Sequence, residues 1–371
     1  MKITAINLYP VAVERRYGTV IASEGVKAKR TVKKSYFFFL EVRTNTGLTG
    51  WGEVSDIVPE ELPKDRKNYL MTISDLLVGR DPFDVQQIHA DLREHMDVGS
   101  SLARYTECAV DMAMYDLQGK AVKRPVYQLL GGKVRKDVHI SWVAYIREDL
   151  DLIRDEVKEK VRQGFTAFKL KVGVNIDLDE KRVALVREIA GKDASIKVDA
   201  NEGWSLSNAA KNINRLHKFN LAGVETPVPR AKPRDIARVR KQVKVPIIEH
   251  VSDLDYGLAL LKADAVDVFN VATTGAGGIW NARRIVTLAE SAKVGVLLGS
   301  TVELGPGTLA QLHFAATVPN LVLPSDLIGP GLYTQDVLRA PLKYVDGKLN
   351  IPSGPGLGGD VDPAKLKKLA F

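Results

Sequence analysis

From about residue 138 onward the chain alternates short apolar runs with amphipathic segments, and this alternation limits its fold more than any other feature. The runs lie at 139–145, 167–171, 196–199, 223–225, 245–249, 266–271, 294–298 and 321–323. Apolar runs of strand length, separated by stretches of helical period such as 152–163 and 180–190, read as repeated β-α units. Eight units predict an α/β architecture closed into a (β/α)8 (TIM-like) barrel. A doubly wound open sheet is the alternative, but no Gly-x-Gly-x-x-Gly follows the first strand of the repeats.

The first 125 residues have a different pattern. Strand-like runs cover 3–13 and 36–43, and the turn Asn45-Thr46-Gly47 leads into a third through Trp51-Gly52-Glu53-Val54. Helical periodicity follows from about 65 and ends with 103–121. At 371 residues the chain is too long for one small core. We expect an N-terminal α+β capping domain over 1–125, the barrel over 126–340, and a C-terminal segment, 341–371, returning to the cap. That segment carries Pro341, Pro352, Pro355 and Pro363.

Composition narrows the function classes. Cys108 is the sole cysteine, which excludes a disulfide framework and a cysteine-rich metal site. No run approaches the roughly 18 apolar residues of a membrane span, and the N-terminus enters strand alternation without a signal-peptide pattern. A cytoplasmic enzyme is expected. The net charge of +8 is dispersed, so nothing marks a nucleic-acid footprint. The densest basic run, Lys27, Lys29, Arg30, Lys33 and Lys34, is either a solvated loop or a flap that attracts a carboxylate.

In a barrel, chemistry sits at the C-terminal ends of the strands. The second run ends in Phe168-Lys169-Leu170-Lys171-Val172-Gly173, which puts Lys169 and Lys171 on one face. Adjacent ammonium groups lower each other's pKa, which makes one of them a candidate base near neutral pH. Alternatively they snorkel to water from a strand end. The next runs end in Asp199 and Glu225. One acid at a strand end commonly caps the following helix; two at successive ends, behind a double lysine, can converge on one cation. A further step of similar length lands on His250, with Glu249 beside it and turned away if His250 faces in. Tyr145, at the end of the first run, is a candidate substrate contact.

Together these residues resemble the enolase superfamily, in its muconate-lactonizing and mandelate-racemase-like branch. The family places Lys-x-Lys on the second barrel strand and carboxylate ligands at the ends of the third, fourth and fifth. Lys169-Leu170-Lys171, Asp199 and Glu225 fit this pattern, and Asn201 completes an Asp-x-Asn arrangement. The stretch from Ala109 to Gly132 resembles the cap-to-barrel junction, and Gly299-Ser300-Thr301-Val302-Glu303 and Asp326-Leu327-Ile328-Gly329-Pro330 resemble muconate cycloisomerase segments.

The resemblance implies a divalent ion, Mg²⁺ or Mn²⁺, that binds a substrate carboxylate and stabilises an enediolate. Lys171 would be the acid/base and Lys169 would tune it and neutralise substrate charge. Glu303, Tyr145 and Asn201 would contact substrate. It also implies a homo-oligomer acting on a small carboxylate, with no nucleic-acid or membrane partner. The reaction expected is cycloisomerisation of muconate-lactonizing type. The alternatives are a dehydratase or epimerase of another hydroxy or amino acid, and a metal-poor carboxylate-binding relative without turnover.

Two positions depart from the family. His250 stands where the third acid is usual, and imidazole suits transition metals better than Mg²⁺; its protonation should weaken metal binding as pH falls. Glu249 or water could fill the position instead. Ala272 stands where dipeptide epimerases and muconate cycloisomerases usually carry a second lysine, opposite Lys-x-Lys. Alanine cannot transfer a proton, so one-sided chemistry is expected. No histidine occurs at 294–299 to form a His/Asp dyad, and His313 reads as a structural helix residue.

Overall fold

The computed structural model describes residues 1–20, 32–97 and 99–371. The N-terminal unit is a three-stranded antiparallel meander of β1 (Ile3–Thr19), β2 (Val32–Thr44) and β3 (Thr49–Ile57), followed by helices α1 (Arg66–Leu77), α2 (Val85–His95) and α3 (Ser101–Ala121). Ser100 caps α3 by accepting from the Ala103 amide at 3.2 Å. The helix lies directly on β3, because a Cβ on Gly52 would fall 1.9 Å from the Ala109 carbonyl oxygen. Lys33 and Lys34 of the basic run lie in β2, where Lys34 is 3.8 Å from Glu14. Lys27, Lys29 and Arg30 lie outside the described residues.

The first expected barrel run divides in two. Its leading end belongs to β4 (Asp137–His139), which pairs antiparallel with the late strand Lys348–Asn350. Only its trailing end enters the barrel, as β5 (Trp142–Ala144). Then follow β6 (Ala167–Lys171), β7 (Ser195–Asp199), β8 (Leu221–Glu225), β9 (Ile247–His250), β10 (Val268–Val271) and β11 (Gly295–Leu298), all parallel and adjacent in chain order. The segment 321–325 closes the ring. Leu321 bridges Val296 beside β11, and Ser325 bridges Ile140 just before β5, both in parallel sense. Inside, Ile248, Val268 and Leu297 pack with Leu323 in an apolar plug. The C-terminal chain runs back to the cap, where the Ala12 amide donates to the Leu369 carbonyl at 2.9 Å.

Buried acids of the N-terminal unit bind the two units together by capping barrel helices. Glu53 on β3 accepts from the Leu304 and Gly307 amides at 2.7 and 2.8 Å, at the start of helix Gly305–Thr317. Asp111 on α3 accepts from the Ile279 and Trp280 amides at 2.7 and 3.2 Å, at the start of helix Ile279–Ser291. Behind Asp111, the His89 ring bridges Glu107 Oε1 at 2.6 Å and Asp111 Oδ2 at 2.9 Å. Burial opposes the charge on His89, but its bonds to Asp111 and Glu107 push its pKa up to about 9. These ion pairs are complete below the ordinary value of 6.5 and are lost as pH rises through 9. Thermal denaturation should therefore show stability falling by up to about 3 kcal/mol across that window, and His89→Gln should flatten the decline.

Candidate active site

The inward face of β6 carries Lys169 and Lys171, in register with Lys197 and Asp199 on β7; Asp199 is in turn level with Glu225 on β8. The side chains form a buried chain of alternating charge. Lys171 Nζ donates to Asp199 Oδ2 at 2.7 Å. Lys169 Nζ lies 3.1 Å from that oxygen and 2.9 Å from both Glu225 Oε2 and Asp326 Oδ2. Lys197 Nζ reaches Asp326 Oδ1 at 2.7 Å and donates to the Pro324 carbonyl at 2.7 Å.

The mutual depression of pKa expected for the lysine pair does not hold for Lys169. Burial works against its charge, but Asp199, Asp326 and Glu225 together outweigh burial and hold its pKa well above the ordinary lysine value. Lys169 is thus a fixed cation. Burial would raise Asp199, yet Lys169 and Lys171 keep it below the usual carboxylate range. Glu225 shifts upward, through burial and the nearby charge of Asp199. Lys171 is the more open of the two lysines, with 13% of its side chain exposed against 5% for Lys169.

Alternation along β9 settles which neighbour faces the mouth. Ile248 belongs to the interior plug, so His250 shares its face. Glu249 points outward, where its Oε1 accepts from Thr226 Oγ1 and the His250 amide, both at 3.0 Å. Burial, Arg230 and Lys169 push the His250 pKa down to about 3. The imidazole therefore stays neutral across the working range, and the expected loss of metal binding through its protonation has no basis above that value.

The donor set fits a divalent cation in its chemistry. It comprises two carboxylates and a neutral imidazole at three adjacent strand ends. Asn201 Oδ1 and Asn270 Oδ1 are buried without hydrogen-bond partners, and each residue bonds a carboxylate through nitrogen: Asn201 N to Asp199 at 2.9 Å, Asn270 Nδ2 to Glu225 at 2.8 Å. Such orphaned acceptors would gain partners from the water of a hydrated ion. Among the described residues, however, no three His, Cys, Asp or Glu side chains form a ready cage. Asp199 and Glu225 are instead both in contact with the Lys169 ammonium, with which an ion would compete.

The remaining candidates fall at the rim. Glu303 is fully engaged: it accepts from Thr274 Oγ1 at 3.1 Å, Thr301 N at 3.0 Å and Thr301 Oγ1 at 2.9 Å, and from Ser300 Oγ. This geometry makes it the organiser of its own loop. Tyr145 is 7% exposed, and burial pushes its hydroxyl up to about 12. Ala272 is buried two residues beyond the inward Asn270, so the face opposite Lys171 carries no base at that position. His313 lies in a barrel helix with its Nε2 on the Leu357 carbonyl at 3.1 Å, which is a structural role. Sequence reasoning missed Lys197 and Asp326 as site members. Lys197 was visible as the residue two before Asp199 on the same face; Asp326 depends on how the barrel closes.

A capped (β/α)8 barrel with lysines and acids on successive strand ends defines a class of enzymes, and comparison with known proteins gives the family. Residues 16–131 match the mandelate racemase/muconate lactonizing enzyme N-terminal domain, and 152–365 the enolase C-terminal domain-like family. N-succinyl-L-Arg/Lys racemase from Bacillus cereus is 29% identical, with 100% of this chain and 98% of the relative covered. The structure of 2-chloromuconate cycloisomerase from Rhodococcus opacus 1CP superimposes with a TM-score of 0.90 at 27% identity, over 100% of both chains. That of dipeptide epimerase from Enterococcus faecalis V583, complexed with Mg and L-Leu-L-Tyr, gives 0.87 at 28% identity, covering 97% of this chain and all of the other. The chain belongs to the mandelate racemase/muconate lactonizing enzyme family of the enolase superfamily and is an enzyme of the isomerase and lyase type. Among the described residues no helix is long and apolar enough to cross a membrane.

Proposed function

We propose that the enzyme is a cycloisomerase of muconate-lactonizing type, acting on a small unsaturated dicarboxylate by proton transfer at one face. The observation that carries this reading is the buried Lys171–Asp199–Lys169–Glu225 chain set across from Ala272. Asp199, Glu225 and His250 would hold Mg²⁺ or Mn²⁺, which supplies Lewis-acid stabilisation of negative charge on the substrate carboxylate. Lys169, a fixed cation, faces the same charge and cannot take up a proton. In the lactonizing direction one substrate carboxylate closes on the double bond, forming a C–O bond. The enediolate so formed takes its proton from Lys171 Nζ. Tyr145 and Asn201 border the substrate space, whereas Glu303 shapes the loop above it.

The relatives include cycloisomerases, a racemase and a dipeptide epimerase. Racemisation and epimerisation by two opposed bases need a group on each face, and Ala272 offers none. With Mn²⁺ present, the ultraviolet absorbance of cis,cis-muconate or a substituted analogue should decay, while N-succinyl-arginine and hydrophobic dipeptides keep their optical rotation. Racemisation of either would overturn the proposal in favour of an epimerase. A dehydratase would instead release water from a hydroxy acid.

The closure of Lys169 on Asp199 and Glu225 favours a second reading, a carboxylate-binding relative that takes no metal. Calorimetric titration separates the two: stoichiometric Mn²⁺ binding excludes it. His250→Ala should then weaken Mn²⁺ by about 10–100-fold and His250→Asp should raise Mg²⁺ affinity. Because the imidazole is neutral down to about pH 3, Mn²⁺ affinity should show no inflection near the ordinary histidine value of 6.5.

A further inference from the structure

The two departures from the family, His250 and Ala272, meet in space. The helix Thr273–Ala276 follows β10, and Gly275 within it faces the imidazole. A Cβ on Gly275 would lie 3.0 Å from His250 Cε1 and 3.7 Å from Nε2, and its next neighbour would be the Cβ of Ala272 at 3.8 Å. Asn270 is level with His250 across the β9–β10 pair, so Ala272 continues that inward face just above the ring.

Gly275 is buried, and its φ lies outside the left-handed region, so the backbone does not require glycine there. Alanine would be the better helix former. What the missing side chain provides is room, and the atoms nearest that room belong to the His250 ring. The imidazole extends further from the backbone than an aspartate carboxylate does, so a histidine at this position needs a seat that an acid does not.

We propose that Gly275 and Ala272 are positioning residues that form the seat for the His250 imidazole, making the histidine on β9 and the small residue on β10 one coupled change. This rests on the reading of His250 as third ligand. A contact of 3.0 Å forces the ring to yield by a few tenths of an ångström. Metal–ligand distances tolerate only about 0.2 Å, so a displacement of that size is enough to spoil the site. A long side chain at 272 enters the same space.

The test is Mn²⁺ binding to the full chain by calorimetry, without substrate, with thermal melts to verify folding. Gly275→Ala should weaken Mn²⁺ by about tenfold in the native background and leave it unchanged in the His250→Asp background, where the shorter side chain does not reach the seat. Ala272→Met should repeat the pattern, and it decides the matter if Gly275→Ala does not fold. Equal weakening in both backgrounds, or unaltered affinity in the native one, overturns the coupling. His250→Ala run alongside separates the two levels. If it binds Mn²⁺ like the native chain, the ligand assignment fails and the inference with it; if it binds weakly while Gly275→Ala does not, only the inference fails.

Discussion

Lys171→Ala should lower kcat by about 10²–10⁴-fold, the usual contribution of a positioned acid/base, while leaving the fold intact. The Lys171 side chain is more open than those of Lys169 and Lys197, and Lys169 still lies 3.1 Å from the Asp199 oxygen that Lys171 leaves. Cation binding should hold or tighten, because one competing ammonium is gone. Lys171→Arg should not rescue turnover, since guanidinium keeps its proton at any working pH. Steady-state kinetics beside a Mn²⁺ titration would read both effects. Turnover surviving in Lys171→Ala would move the acid/base role elsewhere.

Lys169→Met has the opposite profile. Lys169 partners three buried carboxylates, Asp199, Glu225 and Asp326. Removing one partner from a buried ion cluster typically costs about 3–5 kcal/mol, because uncompensated charge is left behind. The melting temperature without metal should therefore fall steeply. Mn²⁺ should restore most of it, since the ion replaces the lost positive charge at Asp199 and Glu225 and no longer competes with an ammonium. A fall that Mn²⁺ does not reverse would mean that the carboxylates are not the cation's ligands.

The barrel was readable because its evidence is local. Each β-α unit shows in the alternation of an apolar run with a helical period, and the acids at 199 and 225 fall at run ends whatever the closure. What was hidden depends on contacts distant in sequence. The run at 139–145 looks continuous, yet its first residue, His139, pairs with Lys348 in a separate ribbon and only Trp142–Ala144 join the barrel sheet. The lysine pair implied mutual repulsion, but Asp199, Asp326 and Glu225 together hold the charge on Lys169, and Asp326 is 157 residues away. The neutrality of His250 depends on the depth of its burial and on Arg230 and Lys169 nearby, none of which its spacing from Glu225 conveys. That His250 and Glu249 face opposite ways follows from period-two alternation, but which of them faces inward is decided by Ile248 in the interior cluster.

A single base at one face of the substrate is tested most directly by proton NMR in D₂O with Mn²⁺. Incubated with the lactone product, the enzyme should introduce one deuterium at a single prochiral position of the α-methylene, and Lys171→Ala should abolish the exchange. Deuterium at both prochiral positions, or exchange that persists in Lys171→Ala, would contradict it.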